Sequence, residues 1–411
     1  MGEESEIAMA HILSNITVLD LSEGVAGPYA SLLLGDMGAN VIKVERPEGD
    51  WGRTSGNVYY RNKYNVHFVA LNRNKRNISI NMKSPHALHV MERLLRSSDI
   101  VISNFRPGVM DRLGLDYKSC KEVKPDIIYC TISAFGQYGE YAHFPGSDTV
   151  LQAVSGMMYQ IGEEHGPPLR VGFPLIDMTA ANYAVQGILL ALYARKEGMK
   201  GANLDISLMN AAIALMTLPF ADYLIGGQLP ERQGNQNRYL APAGSYQTAD
   251  GKYITVAVLR ESHWKKFCAA IKRPDLENDE RFVNNDLRIL NREQLDNILV
   301  PIFRSKTASE WFEILQRSDI ICAPLNDFQD IVQNNHFMSN MPLVNIRLDT
   351  DNVQSMGLPI LFNHSFLTSD SNPPPQKGEH TLEILKELNF TAEEINDLVQ
   401  TNTVYICKDS D

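Results

Sequence analysis

Residues 15–47 read "NITVLDLSEGVAGPYASLLLGDMGANVIKVERP", and the order of their apolar runs decides the fold. "NITVLDLSEG" (15–24) reads as a buried strand. "PYASLLLGDMGA" (28–39) has helical spacing, with Pro28 near its first turn and Gly38 at its end, and "NVIKVERP" (40–47) is a second strand. The three together make a βαβ unit. "DIVISNF" and "DIIYCTISAFG" supply further strands, with helices expected between them at 84–97 and 116–123. Alternation of this kind predicts an α/β fold built on a mainly parallel, doubly wound sheet. Ligands on such sheets collect beyond the carboxyl ends of the strands, here near Glu23 to Pro28, Glu45 to Pro47, Asn104 to Gly108 and Ser133 to Gly139.

Downstream, "ANLDISL" alternates like a strand and "MNAAIALMTLPFADYLIGG" reads as a buried helix. The character then changes: a loop-rich stretch leads into strands around a turn at Asp250 and Gly251, followed by amphipathic helices near 261–272, 285–304 and 307–317. This pattern predicts a second, smaller α+β domain. From about Asn326 the chain reads as irregular, with "NPPPQKGEH" extended before two short helices, the second carrying Thr391 and Glu394 at capping-box spacing. The expected division is 1–225 for the large domain, 226–325 for the small one, and 326–411 as a segment returning to the large domain.

With 44% hydrophobic and 21% charged residues the 411-residue chain has the composition of a globular protein long enough for two cores. Its apolar runs are broken before spanning length, so no membrane helix is expected. "MGEESEIAMA" lacks the basic and apolar regions of a secretory signal, and five cysteines without a CxxC pair fit a reducing, cytoplasmic setting. A net charge of −11 argues against nucleic acid as a partner. Yet between Lys43 and Lys83 nine basic residues stand against three acidic ones. Such an island serves either an anionic small ligand or a solvated surface.

No dinucleotide fingerprint, phosphate loop or nucleophile elbow occurs. Pro28 removes an amide that a pyrophosphate would use. There is no HExxH, and His86 and His89, three apart, do not make a metal site, so neither a metal nor a permanently bound cofactor is expected. Asp177 stands out. It opens an otherwise apolar helical run, "IDMTAANYAVQGILLALYAR", and two roles are open to it, helix cap or nucleophile. Ala180 three residues on gives no capping box, and the apolar run to Tyr193 implies deep burial of a carboxylate that the helix dipole would keep ionised.

Six blocks carry a resemblance over nearly the whole chain: "VLDLSEGVAGPYASLLLGDMGANVIKVERPEGDWGR", "LNRNKRNISINMK", "NFRPGVMDRLGLDY", "ISAFGQYG", "IDMTAANYAVQGILLALYAR" and "KGEHTLEILKELNF". In this order they resemble the class III CoA transferases, the formyl-CoA transferase-like family. The resemblance implies a Rossmann-like large domain, a smaller domain inserted late, and two protomers threaded through each other as an interlocked homodimer. It also implies acyl-CoA and a carboxylic acid as substrates and a catalytic aspartate, matching Asp177, that forms covalent anhydride and thioester intermediates. CoA is then expected to contact the segments holding Arg46, Leu71, Lys75, Arg76, Asn104, Phe105, Arg106 and Arg112. The loop of Glu23, Gly24, Val25 and Ala26, together with Asp148, borders its reactive end. Backbone amides at the start of the Asp177 helix would stabilise oxyanions.

Alpha-methylacyl-CoA racemases resemble the family too, but pair the aspartate with a histidine in a Gly-His-Asp stretch that here reads Gly146, Ser147, Asp148. His143 is the nearest substitute. Formyl-CoA transferases close a glycine-run loop over the aspartate where this chain has "GNQNRYLAPAG" (234–244), with Arg238 placed to meet an acceptor carboxylate or solvent. That bulkier loop points to a larger acid than oxalate or formate. A protein that binds acyl-CoA without turnover is the remaining alternative.

Overall fold

The structure is a computed structural model that describes residues 12–367 and 370–407, so the amino-terminal decapeptide read above lies outside the described residues. Six strands run parallel: β1 (Thr17–Asp20), β2 (Asn40–Glu45), β3 (Arg76–Ile80), β4 (Ile100–Ser103), β5 (Ile128–Ser133) and β6 (Ala202–Ser207). A short β7 (Val404–Tyr405) joins antiparallel to β3, giving the order β7-β3-β2-β1-β4-β5-β6. Leu19 of β1 pairs in register with Ile42 on one side and Val101 on the other. β4 and β5 are buried along their whole length, as strands covered on both faces must be. The chain winds outward from β1 through β2 to β3, then returns to β4 and winds the other way. The crevice between the carboxyl ends of β1 and β4 is therefore the switch point at which such sheets bind ligands.

The covering helices follow from their apolar spacing. In α1 (Ala26–Asp36) only the partly buried Tyr29 departs from burial. In α2 (Ala87–Arg96), Val90, Met91, Leu94 and Leu95 form one buried stripe. Then come α3 (Tyr117–Val123), α4 (Asp148–Val154), α5 (Leu175–Lys196) and α6 (Leu208–Leu215). α5 has the length and composition of a membrane span, which the sequence reading excluded. Here it packs on α1, β5 and β6, with Ala180, Ala184, Ile188 and Ala191 buried. The deep burial expected all round it is not observed. Leu190 is 69% and Tyr193 66% exposed on the opposite face.

Two compact units divide the chain. The first comprises residues through 157, 171–226 and everything from 341 on; the second comprises 158–170 and 227–340. In the first, Ile384, Leu385, Phe390, Ile395 and Leu398 from the carboxyl-terminal helices join the core of β1–β5 and α2. Thr391 and Glu394 make both bonds of a capping box. In the second, an antiparallel sheet of Ala243–Gln247, Tyr253–Ala257 and Ile321–Pro324 packs with helices Glu261–Ala270, Arg292–Phe303 and Ala308–Arg317 around Trp264, Phe267, Phe303 and Trp311.

Several elements differ from the sequence reading. β3 and β7 were not foreseen. The apolar run after β6 is two helices, α6 and Thr217–Leu224, because Pro219 cannot donate to the Leu215 carbonyl and so breaks the ladder. The second of them has no buried residue. The helix expected at 285–304 is interrupted at Asn291. Beyond Asn326 the chain is regular: helices Phe328–Gln333 and Asn335–Asn340 precede a hairpin of Leu343–Leu348 and Asp351–Met356. Val344, Ile346 and Leu348 are buried there at a period of two.

Candidate active site

Beyond the carboxyl ends of β1, β4 and β5 lies a cavity of about 250 Å³. Glu23, Val25, Ala26, Trp51, Asn104, Arg106, Ser133, Asp148 and Asp177 all line it. Seven of these are expected site residues, brought together from four segments by the sheet. Trp51 and Ser133 were missed as individual site residues.

Asp177 is the third residue of α5, whose N-cap is Pro174, and its side chain does not cap the helix. That task falls to Asp148 at the start of α4. Its Oδ2 accepts from the backbone N–H of Ile176 at 2.7 Å and of Asp177 at 3.1 Å. Gln152 fixes Asp148 in turn by donating to Oδ1 at 2.6 Å, and accepts from the Val171 amide at 2.8 Å. The two remaining first-turn amides, of Leu175 and Met178, bond to the carbonyls of Phe173 and Pro174. The amides expected to stabilise oxyanions are therefore already committed.

The Asp177 carboxylate receives no hydrogen bond among the described residues. Burial, reinforced by repulsion from Asp148, pushes its pKa up to about 7. This departs from the expected dipole-held, ionised carboxylate: burial comes first, and Asp148 adds its charge while accepting from the amides of Ile176 and Asp177.

The facing wall is the loop from Ser22 to α1. Asn104 clamps it, with Oδ1 accepting from Glu23 N at 3.0 Å and Nδ2 donating to Glu23 O at 2.7 Å. Gly24 has φ +81°, and a β-carbon there would lie 2.1 Å from the Trp51 ring. At Gly27 a β-carbon would lie 2.2 Å from Ser22 Cβ, so only glycine lets α1 start this close to β1. No side chain caps α1. The Glu23 side chain pairs with Arg46 at 3.3 Å, and burial lifts its carboxyl above the usual range despite that partner.

Three of the nine residues of the basic island, Lys43, Arg73 and Lys75, are buried, and Arg53 and Arg76 are partly so. Lys43 is fully buried between Asp50 Oδ2 at 2.8 Å and the Ser22 carbonyl at 2.7 Å. Arg73 forms a buried pair with Asp36, and Arg53 binds Glu45 through two bonds. Lys75, expected to touch CoA, is 3% exposed, and its ammonium donates to Asp20, Asn72 and the Pro28 carbonyl at 2.9–3.0 Å. All three donors are spent. Burial draws its pKa down to about 8 against the pull of Asp20. Arg76 pairs with Glu383 and Glu387. Lys75 and Arg76 instead line a separate cavity of about 670 Å³, which shares no lining residue with that of Asp177. Leu71 is half-buried in the helix Val66–Asn72 and reaches neither cavity.

Phe105 and Arg106 line a third cavity of about 350 Å³ together with Met110, Tyr117, Gln137 and Tyr138. Arg106 and Pro107 belong to both this space and the Asp177 cavity, and Arg106 makes no ion pair among the described residues. Arg112 is exposed at the end of the turn Val109–Arg112. Arg46 is exposed beside Glu23. His143 is exposed and lines neither space, and His89 stacks edge-on against Phe390. Arg238 donates to the Glu231 carbonyl within the second unit.

A family model described as CoA-transferase family III matches residues 13–381. The chain is 32% identical over 394 residues to succinyl-CoA:glutarate CoA-transferase of Homo sapiens, covering 95% of this chain and 90% of that protein. It is 35% identical over 314 residues to acetyl-CoA:oxalate CoA-transferase of Acetobacter aceti, covering 76% and 80%. Among solved structures, a CAIB/BAIF family protein from Brucella suis superimposes with a TM-score of 0.82 at 31% identity, covering 92% of this chain and 99% of that one.

Proposed function

This chain belongs to CoA-transferase family III, and on that premise we propose that it moves CoA from an acyl-CoA donor to a dicarboxylic acid, with Asp177 forming the covalent anhydride and thioester intermediates through which CoA passes. The observation that carries this reading is the bare Asp177 carboxylate, which faces a cavity while Asp148 does its capping.

A carboxylate oxygen of Asp177 attacks the donor thioester carbonyl; the C–S bond breaks, CoA leaves as thiolate, and a mixed anhydride remains. The thiolate attacks Cγ of Asp177 and expels the donor acid as carboxylate, leaving an aspartyl-CoA thioester. The acceptor carboxylate attacks that thioester, releasing thiolate and forming a second anhydride. Attack of the thiolate on the acceptor carbonyl yields the new acyl-CoA and frees Asp177. No proton is consumed overall. Water must stay out, because either anhydride hydrolyses. Trp51, Val25 and Ala26 make the wall that supports such exclusion.

CoA is read as lying along the two cavities that share Arg106 and Pro107, its nucleotide in the one lined by Phe105, Tyr117 and Tyr138 and its thiol beside Asp177. Arg106, common to both and in no ion pair among the described residues, meets anionic groups there. Arg46 and Arg112, exposed at the rim, are placed for phosphates. Succinyl, glutarate and oxalate in the names of the relatives support the dicarboxylate class. Among the described residues no histidine lines the cavity, which favours transfer over the racemase alternative and its second proton carrier.

The exposed apolar faces of α5 and of Thr217–Leu224, where Leu218 is 67% and Leu224 74% exposed, support a second copy of the chain as the covering partner. Mass spectrometry after incubation with acyl-CoA and hydroxylamine tests the central step: a hydroxamate at Asp177 is expected, while a protein that merely binds acyl-CoA gives none.

A further inference from the structure

Under the cavity wall lies a buried charge network that the transfer chemistry does not use. Asp50, 3% exposed, is its hub. Its Oδ1 accepts from the Gly24 amide at 3.1 Å and from the Gly52 amide at 2.7 Å, capping the short helix Trp51–Arg53. Oδ2 takes the Lys43 ammonium at 2.8 Å, and that ammonium also holds the Ser22 carbonyl. The Asp50 backbone N–H donates to Glu45 Oε2 at 2.9 Å, while Glu45 is anchored by Arg53 and by Asn77 at 2.7 Å. One carboxylate thus ties together two loops that leave different strands, Ser22 to Ala26 after β1 and Gly49 to Arg53 after β2. Both present residues to the Asp177 cavity, and the Trp51 ring lies directly against Gly24.

We propose that Asp50 is a positioning residue for the transfer, holding the wall of Val25, Ala26 and Trp51 against Asp177 so that the acyl intermediates meet the CoA thiolate rather than water. This rests on the reading of Asp177 as acyl carrier. Lys43 neutralises Asp50 without solvent, which fixes the carboxylate and leaves Oδ1 free for the two amides. Replacing Asp50 by alanine frees both amides and the wall; asparagine keeps an oxygen where Oδ1 stands; glutamate keeps the charge for Lys43 but displaces the acceptor.

The test uses the full chain with succinyl-CoA and acetyl-CoA as donors and dicarboxylic acids from oxalate to glutarate as acceptors. Transfer and net thioester hydrolysis are measured for the fastest pair. Asp50→Ala is expected to lower kcat for transfer about 100-fold while KM for the donor and Kd for CoA stay within about threefold, with the ratio of hydrolysis to transfer rising at least about tenfold. Asp50→Asn, whose Oδ1 still takes the two amides but whose Nδ2 meets the Lys43 ammonium, is expected to fall between Asp50→Ala and wild type in the ratio of hydrolysis to transfer. If Asp50→Ala does not fold, Asp50→Glu decides, with the same rise in hydrolysis expected. Alanine or glutamate variants that fold and keep the wild-type ratio overturn the inference and leave the function standing. A wild type inactive on the whole panel overturns both.

Discussion

Asp177 has an ionisation that its place in the chain alone would not give it. A carboxylate at a helix start is ordinarily held down by amides and dipole; here Asp148 accepts from those amides, and burial with a like charge raises the group to about 7. Since attack requires the anion, kcat/KM should rise with pH through about 7, and Asp148→Asn, by removing the like charge, should move that midpoint lower in a pH–rate profile. Stability should run the other way. The unfolded chain loses this proton near the ordinary value of 3.8, whereas the folded protein keeps it to about 7, so stability falls as pH rises between those values. Asp177→Asn removes the cost. In thermal melts its gain over wild type should be negligible near pH 4 and grow to roughly 2 kcal/mol by pH 8. The place of Asp177 at the start of an apolar helix was legible in the sequence, while its catalytic role was implied only by the resemblance. Its pKa was not, because the deciding partner stands 29 residues away in sequence.

At the scale of the element, strands and helices with strong periodicity were legible, and the reading failed where long-range burial decides. β3 begins in a basic stretch, "RNISI", whose Arg76 and Asn77 hide an otherwise buried strand. The basic island was read as either a ligand surface or a solvated one, because charge counting cannot distinguish an exposed cation from one folded onto a carboxylate. Arg46 and Lys75 differ only in the neighbours that the sheet brings to them. Lys75→Met should therefore act on folding: Asp20, buried, loses its direct ion-pair partner and keeps only Lys43, Ser22 and Ser31, so denaturant unfolding should show a loss of about 3 kcal/mol. CoA affinity of the folded fraction should be unchanged in calorimetry. A selective loss of CoA binding would restore Lys75 to the ligand surface.

For the whole molecule, four distant segments meet at one cavity; the loops at 23–26 and 104–106 follow from the strand order, whereas Asp148 and Asp177 were implied only by the resemblance. What covers the apolar outer face of α5 does not follow, since an apolar residue reads alike whether the fold or a partner buries it. Leu190 and Tyr193 are open on the single chain. Sedimentation should show a dimer, and Leu190→Glu should shift it toward the monomer. The central claim, that Asp177 becomes covalently acylated, is met most directly by peptide mass spectrometry of protein trapped with hydroxylamine during acyl-CoA turnover. A hydroxamate confined to the peptide bearing Asp177 is the expected result, lost in Asp177→Ala. Sustained transfer by Asp177→Ala, or label on any other residue with Asp177 unmodified, would contradict it.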